Sequence, residues 1–400
     1  MKEKFTNLEK YLNKIIGKYE VKSDYFENTM FMEVLGFCDW MNGEEFTKIK
    51  KILSELIENN NFTYYEEIGS SITAVNLDDI AKILVKEAKN SGVKITLDNL
   101  QKFLLKEKLD LYRVCLLGGI YTESSDDDVN FIFENNVQIV KIKNFINKRV
   151  YSLFQRQSIS CPGLEMYLIY KYEEEKKNVI LNEKQFLDTL NSKNYSHIDT
   201  KMNNVYLCLL LARRYEWNYI PMIAKTVVSD GKDFIVNTSS YELAAYFQPK
   251  LGPGLIQIEL HKANEILKKF EKLDIDLQNK LSIAIKKLSE FSTRNDEVDK
   301  AISVRVSMES IFLNDNDREE LSSKLRLRAS TFLGGSSKEK KRIKNIFCEA
   351  YDVSSSAVHN GKIQDDKFQK IEEVVPYLYK AINKIIDLRQ EPHWVDYELK

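Results

Sequence analysis

Residues 351–362, YDVSSSAVHNGK, hold the groups of this chain best placed for acid–base chemistry. The chain has only four histidines, and His359 stands directly before Asn360-Gly361, a helix-stop dipeptide. In the last turn of a helix the macrodipole favours an imidazolium, which suits a group that exchanges protons near neutral pH. Such a group, lying off the apolar side, is placed to act as general acid or base on a substrate in a cleft. The alternative is that His359 caps the last helical carbonyls. The preceding serines divide by position. Ser354 falls at the centre of the stripe set by Ile343, Ile346, Phe347, Ala350, Ala357 and Val358. Ser355 and His359 lie to one side of it, with Tyr351 between. A serine at the centre of a stripe lets a second helix approach closely.

The same helix opens on cations: Lys338, Lys340, Lys341, Arg342 and Lys344. Each opposes the macrodipole by roughly 0.3–1 kcal/mol when close. A phosphate backbone would offset this, and an ordinary solvated lysine face is the alternative. Lys341 and Arg342 at one end, with Asn360 and Lys362 at the other, are the candidate RNA contacts. Two helices precede. In the one from about Asp296, Val298, Ile302, Val306, Phe312 and Leu313 share a face, and Arg305 and Glu309 fall in its middle. The next opens on Asp317-x-x-Glu320, which resembles an N-cap, and closes at Gly334-Gly335. Its stripe is Leu321, Leu325, Ala329 and Phe332, with Arg328 inside. Charges on buried faces require partners. Arg305, Glu309 and Arg328 are therefore expected to form one network, unless one arginine reaches a cleft.

Three segments, AISVRVSMESIFL, ELSSKLRLRASTFLGG and YDVSSSAVHNGK, resemble the HEPN domains, and among them the Apea-like group. The resemblance covers roughly residues 260–390 and is carried by Glu309, Arg328, Tyr351, Ser355, Val358, His359 and Gly361. It implies an all-α bundle and a homodimer whose protomers share a cleft. It also implies metal-independent RNA cleavage, with the 2′-hydroxyl attacking the adjacent phosphate, as in ribonucleases of toxin–antitoxin, abortive-infection and anti-phage systems. No cofactor and no metal are implied. On this resemblance His359, Ser355 and Arg328 are the catalytic candidates. The chain departs from the family at one position: Ser354 stands where the family has arginine, and no arginine occurs in the ten residues before His359. A serine cannot fork two phosphate oxygens. Either another cation substitutes (Arg328, Arg305 or Lys362), or activity is lost, or the domain holds RNA or a partner without cutting.

The elements that position these residues follow from composition and periodicity. Hydrophobic residues make up 43% of 400, enough for packed cores, and 14 Gly with 6 Pro predict long helices and few tight loops. Net charge is −1, so any basic surface is local. Residues 1–108 read as mostly helical, with a capping box at Thr6-x-x-Glu9 and apolar spacing of i, i+3, i+4 through EEFTKIKKILSELIENN, LDDIAKILVKEAKNSG and TLDNLQKFLLKE. Residues 109–257 read as mixed. LYRVCLLGGIYTE, EMYLIYKYEEE, PMIAKTVVS and GLIQIEL are strand candidates, KMNNVYLCLLLARRYEW is a helix, and VNFIFENNVQIVKI is a hairpin turning at Asn135-Asn136. The Pro-Gly stretch FQPKLGPG marks a boundary before an all-helical 258–400. The fold class is α+β: a helical and mixed N-terminal region with a small antiparallel sheet, then a C-terminal all-α bundle.

Other classes find no support in the sequence. There is no apolar N-terminal run and no membrane-length segment, and the five cysteines show no CxxC spacing; a reducing cytoplasm and no membrane are expected. GxGxxG, GxxxxGK, HExxH and GxSxG are absent. His197, His261 and His393 have no recognisable partners. The acidic SSDDDVN is either a cation loop or a solvated hairpin entry. Residues 1–257 are expected to sense a phage or host trigger.

Overall fold

The computed structural model describes residues 2–18, 39–59, 65–68, 71–74, 77–106, 108–117, 130–141, 166–175, 196–213, 222–229, 239–240, 257–314, 317, 319–364 and 366–399. The fold is α+β. Helices α1 (Lys2–Lys18), α2 (Glu44–Asn59), α3 (Leu77–Ser91) and α4 (Val93–Leu105) close around a core of their own. Their periodicity explains this. Phe46, Ile49, Leu53 and Leu56 recur at helical spacing on α2 and are all buried, as are Leu8, Leu12 and Ile15 on α1. Thr6 is not the cap expected from the sequence. It lies inside α1, and its hydroxyl donates to the Lys2 carbonyl at 3.1 Å. Strands β1 (Tyr65–Ile68) and β2 (Ser71–Ala74) form a separate two-stranded pair.

The main sheet is antiparallel throughout. It is built from β3 (Lys108–Leu117), β4 (Asn130–Ile132), β5 (Val137–Lys141), β6 (Met166–Glu175), β7 (Met222–Ser229) and β8 (Ser239–Ser240), in the order β4-β5-β6-β3-β7-β8. The β4–β5 turn falls at the expected asparagines, with Asn136 at φ 67°, a left-handed conformation that asparagine tolerates. The Asn135 amide then ties this turn to the helical region, donating to Glu271 at 2.8 Å and to the Lys201 carbonyl at 3.2 Å. Helix α5 (Ser196–Ala212) is fixed to the sheet by a forked bond from Arg113 to Asp199, at 3.0 and 3.2 Å.

Seven helices complete the chain: α6 (Gln257–Phe270), α7 (Ile275–Thr293), α8 (Glu297–Phe312), α9 (Leu321–Leu333), α10 (Ser337–Asn360), α11 (Gln369–Leu388) and α12 (Trp394–Glu398). Of the GLIQIEL segment expected as a strand, the described part, from Gln257, is helix. Leu260, Ala263, Leu267 and Phe270 supply a buried helical stripe that outweighs the short alternation before it. One continuous core runs from Cys115, Ile139 and Leu168 of the sheet through α5 into the bundle. The sequence boundary at 257/258 is therefore no break in packing. The Pro-Gly stretch 247–254 and residues 124–129 of the acidic segment lie outside the described residues. No helix among the described residues is long and apolar enough to cross a membrane.

The expected Arg305–Glu309–Arg328 network is two separate clusters. Arg328, 4% exposed, points the other way. Its guanidinium donates to Asp317 at 2.5 and 3.2 Å, to Glu398 at 2.6 Å and to the Phe312 carbonyl at 2.8 Å. Asp317 is thus a buried acceptor rather than a helix cap; the residue before α9 is Glu320, in left-handed backbone and making no side-chain cap bond. Around this pair Trp394 packs on Phe312 and Phe332, with both ring centroids at 5.6 Å, so α12 seals the end of α8 and α9. Arg305 bonds Glu309 at 2.9 Å and Tyr351 at 3.2 Å, at the rim of the core. The face of α8 is rotated from the expected one. Ala301, Val304, Ser307, Met308 and Ile311 are buried, while Ile302 and Val306 are half-buried.

Two outcomes follow from the burial difference. Arg328→Met removes the guanidinium that Asp317 and Glu398 share and should cost about 3–5 kcal/mol, the usual loss when one partner of a buried pair is removed. Glu309→Gln breaks a half-buried pair and should cost about 1 kcal/mol or less. Chemical denaturation of both variants checks the order. Acid stability has a defined sign as well. Burial pushes the Asp317 carboxyl up, but hydrogen bonds from Arg328, the Asn314 N–H and Lys324 together hold it well below its ordinary 3.8. A depressed carboxyl contributes stability above its unfolded value and loses it as pH falls toward the folded one. Stability should therefore drop as pH falls below about 3.8, and Asp317→Asn should flatten that part of the curve.

Candidate functional site

All the candidate residues except Arg328, Arg305 and Glu309 lie on α10 or just beyond it, so the site depends on how that helix starts, packs and stops. It starts from a two-glycine turn. A Cβ on Gly334 would sit 2.7 Å from the Ser330 carbonyl oxygen and 2.9 Å from Lys340 Cγ, so only glycine fits between the two helices there. Ser336 caps α10 by accepting from the Glu339 N–H at 3.2 Å. Glu339 reaches back and accepts from the Gly335 N–H at 2.9 Å, a bond that holds its carboxyl below the usual range. This is a capping box in all but its second donor, which is one residue earlier than usual. The helix stops at Gly361, whose φ of 62° and N–H bond to the Ala357 carbonyl end it in left-handed backbone.

Between those ends α10 presents two different surfaces. At its start Lys338, Lys341 and Arg342 are exposed, and none makes an ion pair or hydrogen bond among the described residues. They form one wall of a groove of ≈ 650 Å³. The other wall is the start of α11, with Lys370, Glu373 and Tyr377. Lys370 is neutralised in place by Glu349 at 3.0 Å and Glu373 at 3.5 Å. The tyrosine ring stands edge-on to the buried Phe347, with centroids 6.4 Å apart.

At the far end His359 and Lys362 are exposed, also without a partner among the described residues. Asn360 donates to Ser356 at 3.2 Å. Ser355 is half-buried. Ser354 is fully buried, and its hydroxyl bonds the Tyr351 carbonyl one turn back at 2.9 Å, so this position faces the bundle interior and not a cleft. Val358, expected on the apolar side, is 46% exposed. One turn before Ser355, the Tyr351 hydroxyl donates to Glu309 at 3.2 Å and accepts from Arg305. Burial pushes the Tyr351 phenol above its ordinary 10.0; Arg305 opposes the shift and Glu309 adds to it, so the phenol keeps its proton.

The expected residues are not one site. Arg326 bonds Cys348 across the α9–α10 contact at 3.3 Å, which sets Arg328 level with about residue 346. At a rise of 1.5 Å per residue, Arg328 is roughly 20 Å from His359 along the axis, and Tyr351 with its Arg305 is roughly 12 Å away. Arg342 and Asn360 are roughly 27 Å apart on the same measure. Lys341 and Arg342 are joined in the groove by Lys338, already noted in the basic run, and by Lys370, Glu349, Glu373 and Tyr377. Sequence reasoning missed those four: Glu349 lies on α10 itself, seven residues past Arg342, and no local signal places the other three, on α11, against the basic end of α10. Elsewhere, His261 stacks edge-on to Phe131 at 5.0 Å, His393 lies 3.2 Å from Asp396, and His197 is exposed. Among the described residues no group of three or more His, Cys, Asp and Glu is placed to hold a metal ion.

No protein-family model matches the chain, and no curated protein and no solved structure matches it.

Because the Gly334 turn sets the register of α9 against α10, Gly334→Ala should force the two apart. A loss of about 1–3 kcal/mol is expected, as for overpacking at a tight contact, read as a lower melting temperature.

Proposed function

We propose that this protein is a HEPN-like helical-bundle protein that holds RNA through the groove between α10 and α11 and does not cut it. One observation carries the reading: the only unpaired cation cluster on α10 among the described residues sits in that groove, while the histidine that would do chemistry lies at the opposite end of the helix. Cleavage by 2′-hydroxyl attack builds negative charge on a phosphorane, and a forked arginine is the usual counter-charge. Here Ser354 is buried, Arg328 is consumed by Asp317 and Glu398, and Arg305 is engaged by Glu309 and Tyr351. A phosphate backbone, by contrast, would meet Lys338, Lys341 and Arg342 with their N–H donors free. The HEPN and defence assignments rest on the sequence resemblance. A homodimer through the bundle belongs to the same proposal, supported by the exposed Val358 beside His359.

The test is a binding and cleavage assay on one preparation. Total RNA incubated without metal should stay intact, and a labelled single strand should bind with an affinity that falls with salt. Lys341→Gln with Arg342→Gln should lower the log–log salt slope by about 1.4, two contacts at about 0.7 each for single strands. RNA cleavage that is lost in His359→Ala would overturn the non-cutting reading. An unchanged salt slope would overturn the groove as the RNA site.

A further inference from the structure

We infer that the α10–α11 groove takes an unpaired nucleic-acid strand rather than a duplex, with phosphates along Lys338, Lys341 and Arg342 and a base on the Tyr377 ring. The inference rests on the RNA reading above and adds the strandedness of the ligand and the residue that reads it.

The two walls differ in chemistry. On α10, Lys338, Lys341 and Arg342 follow i, i+3, i+4 spacing, so they form one exposed cationic row about 6 Å long. On α11 the only cation of the groove, Lys370, is held between Glu349 and Glu373. Glu373 repels phosphate from the α11 wall, while Glu349, which lies on α10 past the cationic row, is offset by Lys370, so a bound backbone runs along Lys338, Lys341 and Arg342. What faces α11 is then the part of the nucleotide that carries no charge. That wall ends in Tyr377, on the face of α11 shared with Lys370 and Glu373 at i, i+3, i+7.

A half-buried tyrosine that lines a cationic groove, its ring held by an edge contact to the core Phe347, is a preorganised stacking platform. Only a base free of its own stack can use it. In a duplex the bases are stacked and paired, and the helix offers mainly phosphates and 2′-hydroxyls. The groove's ≈ 650 Å³ lies within the roughly 300–1,000 Å³ of sites that enclose small ligands, room for a splayed nucleotide.

Fluorescence anisotropy on the full chain tests this, with a short labelled oligoadenylate and an RNA duplex of the same length as probes. Wild type should prefer the single strand. Tyr377→Leu should weaken single-strand binding at least about fivefold, the low end of what one stacked base is worth, and leave duplex binding unchanged. Tyr377→Phe should bind as wild type. Tyr377→Trp, which keeps the platform, should show indole fluorescence quenched by the single strand and not by the duplex. Binding that Tyr377→Leu leaves intact, or an unquenched Trp variant, would overturn the strand reading while the RNA reading stands. Wild type that binds neither probe overturns both.

Discussion

A guanidinium that water barely reaches must find acceptors for its N–H groups, or the bundle loses several kcal/mol to an uncompensated charge. Arg328 finds them in three separate stretches of chain: Asp317 in the connection before α9, the Phe312 carbonyl at the end of α8, and Glu398 in the last helix. Much of the bundle's architecture follows from that one requirement. Asp317 itself is held in place, since it also receives Lys324 and the Asn314 N–H. Helix α12 is fixed because Glu398 brings Trp394 and Tyr397 down on Phe332. Once α9 is set, the Gly334 turn sets α10, and both ends of α10 are placed. The same requirement takes Arg328 out of chemistry, since a group saturated by two carboxylates has nothing left for a substrate.

Arg305 shows what a looser arrangement looks like. It has one carboxylate, one phenol and a face-on contact with the Tyr351 ring at 4.8 Å, and its Nη1 is buried with no hydrogen-bond partner. That cluster anchors α8 to the middle of α10. It stands between the groove and His359 and belongs to neither. The cationic start of α10 is a third case. Its charges oppose the helix dipole and form no ion pair among the described residues, though Arg342 helps hold the Glu339 carboxyl down, and the helix forms because the cap is made by other residues. Ser336 and Glu339 satisfy the first N–H groups, which leaves Lys338, Lys341 and Arg342 free of a structural duty.

How far the sequence could be read depends on where each determinant lies. Periodicity is local, so helices such as α2, α3 and α10 were legible from spacing, as was the hairpin turn at Asn136. The phase of α8 was not. Ser303 and Ser307 are polar and lie off the expected apolar face, but both are buried, and Ser307 donates to the Ala284 and Ser303 carbonyls at little cost. That rotates the helix and moves Arg305 and Glu309 from mid-face to the rim. The capping box before α10 was legible and passed over, since Ser336-x-x-Glu339 has the required spacing. The partner of Arg328 was not legible, because Glu398 lies 70 residues away and nothing local to either residue pairs them. The groove failed in the same way. Lys341 and Arg342 are visible in the sequence as a basic run, but Glu373 and Tyr377 opposite them arrive by tertiary packing.

The separation of His359 from Arg305, Arg328 and the cationic start of α10 bears on what such a helix end can do. A general acid or base contributes only where a second group meets the charge that develops on the reacting phosphate. Along α10 the Arg305 guanidinium is about two turns away and committed to Glu309, and the cationic start of the helix is more than four turns from His359. Lys362 lies three residues past His359, beyond the Gly361 turn, and carries a point charge rather than a fork. Neither Arg305 nor Arg328, both engaged by carboxylates, is left to supply beside His359 the forked counter-charge that phosphate cleavage calls for. The exposed cations Lys338, Lys341 and Arg342 and the exposed His359 are held at opposite ends of one helix. The separation is set by the length of α10 and by the cap and glycine that bound it, so no rotamer change within the chain can close it.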